Sequence, residues 1–229
     1  MAKFTFATTE KEGFDNHILH SIRGYEHLWD DVLKFSKYFV EDDTNVVDIG
    51  CSTGKLIDAM YKQNCHIAEN AHYVGIEIES DFYDQMVFTG PISKHIEIVK
   101  GDVRGYEFDN CNLVTSIFTL QFMPHHARQN VIDKIYDGLN VGGAFIFSEK
   151  IFSDDPQIQD MMTFCYYDFK NQFFTEKSIL DKERNLRYMM KPCKHSELIT
   201  MCETAGFTSV QPFWQNFNFV GMIAIKRDI

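Results

Sequence analysis

Three acids close short apolar runs: Asp48 follows Val46-Val47, Glu77 follows Tyr73-Val74-Gly75-Ile76, and Asp102 follows Ile96 to Val99. If the runs are strands of an open α/β sheet, the acids stand at carboxyl ends, where such sheets bind ligands. A carboxylate at Glu77 suits both hydroxyls of a ribose. Asp102 suits an exocyclic amino group such as that of adenine, with Val103 giving an apolar wall and a backbone N–H. Asp48 leads into Gly50-Cys51-Ser52-Thr53-Gly54. The glycines permit positive φ and close approach of a ligand to the main chain, and a helix starting near Lys55 aims its first N–H groups at a carboxylate or phosphate. An ordinary strand-to-helix turn would explain this loop by itself. Acids at three successive strand ends together with the loop point to an adenosyl ligand. Cys51 reads as a small apolar packing group.

Two nucleotide motifs fit poorly. In a dinucleotide turn, G-x-G-x-x-G, Ser52 would occupy the second glycine and Lys55 the third. In a phosphate-binding loop of the Walker type, Gly50 and Gly54 stand too close, and Leu56 replaces the magnesium-binding hydroxyl after Gly54-Lys55. The adjacent His125-His126 cannot share a helix face, so they read as an exposed helix start, not a metal pair. No cysteine pair or His/Cys cluster has zinc spacing, and no metal is expected.

The elements that must position these groups follow from periodicity. Residues 1–13 read as a loose tail. Two helical stretches cover 14–40, interrupted at Arg23-Gly24-Tyr25, which could set Tyr25 over a ligand cleft. Five strands then alternate with helices: Asn45 to Ile49, Tyr73 to Glu77, Ile96 to Val99, Leu113 to Ile117 and Ala144 to Phe147. Ser80 is expected to cap a helix carrying Phe82, Tyr83 and Met86, and Gly142-Gly143 to stop the helix that runs from Pro124 to Leu139. Residues 155–190 break the rhythm and read as inserted helices that cap a cleft or make a subunit contact. A helix ending at Gly206 and two strands, Ser209 to Trp214 and Phe219 to Ile225, close the chain, the strands paired antiparallel. Residues 14–229 are therefore expected to form a single catalytic domain.

The chain has 229 residues and 45% hydrophobic composition, enough for a well-buried domain. Its formal charge of −11 opposes non-specific attraction to a polyanion, so direct nucleic-acid binding is disfavoured and a small-molecule substrate favoured. Six scattered cysteines suit reduced thiols. With no apolar signal segment and no run near the roughly 18 apolar residues of a membrane span, a soluble cytoplasmic protein without membrane contact is expected.

Asp48-Ile49-Gly50-Cys51-Ser52-Thr53-Gly54 with the acids downstream resembles the class I S-adenosylmethionine (SAM) methyltransferase fold: Rossmann-like α/β, a seven-stranded mostly parallel sheet with an antiparallel C-terminal hairpin. More narrowly, Arg23-Gly24-Tyr25, Gly50-Cys51-Ser52, Gly101-Asp102-Val103-Arg104, Phe118 to Phe122, Asp133 to Tyr136, Ser148-Glu149-Lys150, Asp168-Phe169-Lys170 and Phe217-Asn218-Phe219 resemble the carboxy-S-adenosyl-L-methionine synthase family. The resemblance runs from about Phe14 to the C-terminus. It implies conversion of SAM and prephenate to carboxy-SAM and phenylpyruvate, the product serving tRNA wobble-uridine modification by a partner enzyme. It also implies a SAM site including Tyr25, Gly50, Cys51, Ser52, Asp102 and Val103, with Glu77 in place of an aspartate, and Asp48, Gly54 and Ile117 beside it.

The family holds the added carboxylate with an arginine from the neighbouring subunit, which implies a homodimer; a guanidinium binds both carboxylate oxygens. Counting from Asp168-Phe169-Lys170 puts Arg184 at that position, whereas anchoring on Phe174-Thr175-Glu176 puts Glu183 there. Ile78 and Ile117 stand where the family usually has asparagines. Three readings stay open from sequence: a carboxy-SAM synthase-like enzyme, a SAM-dependent methyltransferase on a small molecule or tRNA, and a non-catalytic SAM-binding protein. Methyl transfer needs mainly alignment and desolvation, so a missing base does not exclude it. Lys182 and Arg187 read as solvating charges on an inserted helix, and Phe213, Trp214, Phe217 and Phe219 as core or interface packing.

Overall fold

The strand β1 (Asn45–Ile49) forms the axis of the sheet, and its alternation divides the core. Val47 and Ile49 join one buried cluster and Val46 the other. A computed structural model describes residues 13–84, 86 and 94–228. The expected tail, 1–13, lies outside the described residues except for Gly13.

β1 pairs in parallel with β2 (His72–Glu77) on one side and β4 (Cys111–Ile117) on the other. β3 (Ile96–Lys100) continues beyond β2, and β5 (Leu139–Phe152) beyond β4. An antiparallel hairpin, β7 (Ser209–Asn216) and β8 (Phe219–Ile225), completes the order β3-β2-β1-β4-β5-β8-β7. The chain reverses its direction of growth between β1 and β4, which places a crevice there.

Seven strands are expected from the sequence, and an eighth is present. β6 (Cys193–Lys194) pairs in parallel with Ile151 and Phe152 at the end of β5. Two residues are too few for a strand alternation to register in sequence.

One face of the sheet carries α1 (Phe14–Ser21), α2 (Tyr25–Ser36) and α3 (Lys55–Asn64). Leu28 and Val32 of α2 and Leu56, Ile57 and Met60 of α3 pack with Val46, Tyr73 and Leu113. The other face carries α5 (His125–Gly138) and α8 (His195–Ala205), whose Val131, Ile132, Ile135, Leu198 and Cys202 pack with Val47, Val114 and Phe145. Phe213, Trp214 and Phe217 pack beside the α2 cluster, Phe213 edge-on to Phe35 with ring centroids 5.1 Å apart. No helix among the described residues is long and apolar enough to cross a membrane.

Two local expectations are corrected. Ser80 is the first residue of the short helix α4 (Ser80–Tyr83), whose N-cap is Glu79; no side chain caps it, and Met86 lies beyond it. Helix α5 ends at Gly138 because Leu139 turns extended at once and starts β5, so Gly142 and Gly143 fall inside the strand. A Cβ at Gly138 would stand 2.6 Å from the Phe108 backbone, which explains a glycine there.

The inserted region forms α6 (Pro156–Lys170) and α7 (Glu176–Met189). Asp155 accepts a hydrogen bond from the Ile158 N–H at 2.9 Å, and Thr175 accepts one from Ser178 at 3.3 Å. These caps satisfy N–H groups that a helix start leaves without partners.

Candidate functional site

A cavity of about 810 Å³ lies over the carboxyl ends of β1, β2, β4 and β5, within the size range of small-molecule sites. Its floor at β1 is Asp48, 3% exposed, whose Oδ1 accepts a 2.7 Å hydrogen bond from the Thr115 hydroxyl. Burial pushes the Asp48 carboxyl up to about 7, against the opposing Thr115 bond.

The following loop is held in a tight coil. Gly50 has φ +70°, and a Cβ there would lie 2.6 Å from Thr119 Cγ2 and closer still to its Oγ1. Ser52, itself at φ 46°, donates its N–H to Glu77 Oε2 at 2.8 Å, while Glu79 N–H reaches Oε1 at 2.8 Å. Glu77 is 4% exposed, and burial raises its pKa although these N–H groups oppose the rise. The Ile78 N–H also acts on this carboxylate, and since a carboxylate has about four acceptor sites Glu77 remains capable of taking a hydroxyl group. Gly54, in the left-handed region, is the N-cap of α3.

Helix α1 is tied over this end. Asp15 accepts from the Thr53 hydroxyl at 2.8 Å and pairs with Lys55 at 2.9 Å. Tyr25 begins α2 and lies near Phe118, with ring centroids 6.3 Å apart. The cavity lining thus brings together Tyr25, Asp48, Gly50, Cys51, Ser52, Glu77 and Ile117 from distant parts of the chain. Cys51 is a buried free cysteine with its Sγ against Gly75.

Gly54, Asp102, Val103 and Arg184 are not on this lining. Asp102 is clasped by Arg104, with an Nη2–Oδ2 distance of 2.5 Å, and that guanidinium holds its carboxyl below the ordinary range. Val103 is buried in the core facing α5. Arg184 is 74% exposed at its side chain and pairs with Asp181 at 3.2 Å.

Glu183 faces the cavity instead. Lys150 Nζ stands 3.4 Å from its Oε2 and Lys170 Nζ 3.9 Å from its Oε1. Both ammonium groups also lie over the Tyr166 ring, each 5.0 Å from its centroid. Burial depresses Lys150, with Glu183 opposing the shift. Lys182, read from sequence as a solvating charge, contacts the His17 ring and lines the cavity. His17 is held down to about 3, first by burial and then by Lys182, so it stays neutral and can accept from the ammonium. Lys150 and Lys170 occur in the segments Ser148-Glu149-Lys150 and Asp168-Phe169-Lys170, but their convergence depends on tertiary packing. Their burial, at 13% and 2% side-chain exposure, has no counterpart in local sequence.

The site is bipolar, with buried carboxylates at the β1–β2 end and ammonium groups under the inserted helices. A methyltransferase-domain family matches residues 46–143. The chain is 36% identical over 214 residues to the carboxy-S-adenosyl-L-methionine synthase of Staphylococcus epidermidis, covering 93% of this chain and 92% of that one. It is 33% identical to the synthase of the same name from Colwellia psychrerythraea, covering 97% and 92%. Among solved structures, human N-acetylserotonin methyltransferase in complex with SAM has a TM-score of 0.57 at 14% identity, covering 87% of this chain and 52% of that one. The YcgJ protein of Bacillus subtilis has a TM-score of 0.61 at 11% identity, covering 89% and 99%. At such identities these structures establish the shared fold.

Proposed function

The chain belongs to the carboxy-S-adenosyl-L-methionine synthase family, and from that premise we propose that it converts SAM and prephenate to carboxy-SAM and phenylpyruvate. It is a SAM-dependent transferase. SAM supplies the sulfonium-bound methyl carbon that receives the carboxyl group in place of a proton, while prephenate loses its ring hydroxyl as it becomes aromatic, so that water is the third product. The observation that carries the proposal is the bipolar cavity: a cationic sulfonium nucleoside fits beside Asp48 and Glu77, and an acidic co-substrate fits beside Lys150 and Lys170. Tyr25, Asp48, Gly50, Cys51, Ser52, Glu77 and Ile117 would contact SAM from the lining. Gly54 would act as the cap of α3, and Asp102 and Val103 from the β3 side.

Self-association is part of the proposal. On α6, Ile158, Met161 and Phe164 recur three residues apart and are 46%, 60% and 66% exposed, an apolar stripe suited to a second copy. Arg184 points outward on α7, where a neighbouring protomer could use it. The product would then serve, through a partner enzyme in the cytoplasm, the modification of a tRNA wobble uridine.

A second reading, ordinary methyl transfer to a small molecule or tRNA, draws on Glu183 and Ile117. An anion and an apolar side chain line the cavity where an added carboxylate would prefer donors. Incubating the protein with SAM and prephenate separates the two readings. The first expects phenylpyruvate to appear only when SAM is present. SAM-independent background alone, with S-adenosylhomocysteine formed on a methyl acceptor, would favour the second.

A further inference from the structure

We propose that Arg128 is a positioning residue for the co-substrate end of the cavity, holding the turn that follows β4 and the chain that follows α7 in one fixed arrangement. The assignment of that end to the co-substrate rests on the synthase reading above. Arg128 lies on α5 at helical spacing from Val131, Ile132 and Ile135, so the helix sends it into the core with them. It is 1% exposed. A guanidinium does not shed its charge, and burying it is costly unless its N–H groups are taken up. An apolar side chain could fill the same space without that cost, so packing alone does not account for an arginine here.

The partners of Arg128 are backbone acceptors at the cavity rim. Nε donates to the Met123 carbonyl at 3.2 Å, and Nη2 to the carbonyls of Gln121 at 3.2 Å, Met123 at 3.0 Å and Lys191. Nη1 touches Cys193 Sγ on β6. Gln121 and Met123 belong to the turn around Leu120–Phe122 that leaves β4, whereas Lys191 and Cys193 follow the end of α7. One planar group thus bridges two segments far apart in the chain. The Lys191 N–H adds a bond to the Gln121 carbonyl at 2.7 Å, and the buried Glu149 carboxyl takes the N–H groups of Leu120 and Gln121. The consequence reaches the cavity directly. Gln121, Met189 and Met190 line it, and Gln121 Oε1 accepts the Lys150 N–H at 2.8 Å. A shift of the turn would therefore move Gln121 and Lys150, while Asp48 and Glu77 keep their own bonds to Thr115, Ser52 and Glu79.

Arg128→Met removes every donor, and Arg128→Lys keeps the charge and part of the bonding. In Arg128→Met, kcat/KM for prephenate should fall about 100-fold, the loss typical of a reacting group displaced by about 1 Å. The Kd for SAM should change by no more than about twofold, as at distant independent sites. Arg128→Lys should recover part of the loss, and it decides the matter by a smaller loss confined to prephenate if Arg128→Met does not fold. A second readout needs no turnover. Cys193 is 2% exposed and should alkylate slowly in wild type, with the exposed Cys165 as internal standard, both followed by peptide mass spectrometry. Either variant should speed the Cys193 reaction. Loss of the neighbouring guanidinium would by itself slow it, because Arg128 opposes the rise that burial imposes on this thiol, so acceleration reports opening of the segment. A wild-type protein inert toward prephenate would refute the synthase reading but not the positioning role, which Cys193 labelling at unchanged SAM affinity would then decide. Unchanged Cys193 labelling overturns the proposal, as does a loss shared equally by SAM binding and prephenate turnover.

Discussion

Replacing Gly50 with alanine introduces two separable penalties. At φ +70°, a Cβ costs roughly 1–2 kcal/mol from the left-handed backbone. The same Cβ would sit 2.6 Å from Thr119 Cγ2, and forcing an extra carbon into a packed contact costs about 1–3 kcal/mol. Their sum, about 2–5 kcal/mol, corresponds to a fall in Tm of roughly 4–20 °C for a chain of this size. Thermal denaturation of Gly50→Ala, Thr119→Ala and the double variant separates the terms. In the Thr119→Ala background the Gly50→Ala penalty should shrink to the backbone part, roughly 2–8 °C. SAM affinity should fall in both glycine variants because the loop that approaches the ligand has moved. A Gly50→Ala protein with unchanged Tm and SAM affinity would refute the close approach of Gly50 to Thr119. So would an equal Tm loss in both backgrounds.

Asp48 links SAM binding to pH. Its carboxyl, held up near 7 by burial, should ionise when the cationic nucleoside enters the same cavity. Below about pH 7 binding therefore releases a proton and affinity rises with pH, by at most tenfold per unit, levelling above 7. Calorimetry at pH 6 in buffers of different ionisation enthalpy measures the proton, and Asp48→Asn should abolish it. For the ligand-free protein the sign is opposite. A carboxyl raised from its ordinary value contributes stability that is full below the unfolded pKa of 3.8 and is lost as pH rises through about 7. Asp48→Asn should flatten that part of the Tm profile. Under the proposed self-association, wild type should be dimeric in light scattering and Phe164→Glu, on the exposed stripe of α6, monomeric, with monomer stability changed by no more than about 0.5 kcal/mol. A variant that remains dimeric would place the interface elsewhere.

The central half of the fold was legible because local patterns and tertiary roles agree there. Val46 and Val47 alternate across the sheet, the apolar residues of α5 recur at helical spacing, and Gly50 and Gly54 sit where the backbone turns left-handed. The inserted helices were legible as helices but not in their facing. Once Thr175 caps α7 at Glu176, the helical step puts Ile179 and Leu186 on the buried side. Glu183 lies on that side with them, and Arg184, one residue on, turns outward. Sequence counting alone could not choose between them. The acid at Asp102 looked equivalent to Asp48 and Glu77, yet Arg104 two residues later clasps it. The pairing of Lys182 with His17 joins residues 165 positions apart, and the meeting of Lys150 and Lys170 depends on α6 folding over β5. Neither leaves a periodicity to read.

The most direct measurement of the central claim is the mass of the nucleoside that co-purifies with the protein, before and after incubation with SAM and prephenate. A synthase of this family should release a species heavier than SAM by one carboxyl group in place of hydrogen, and its amount should rise with prephenate. Recovery of SAM and S-adenosylhomocysteine alone, unchanged by prephenate, would contradict the synthase reading.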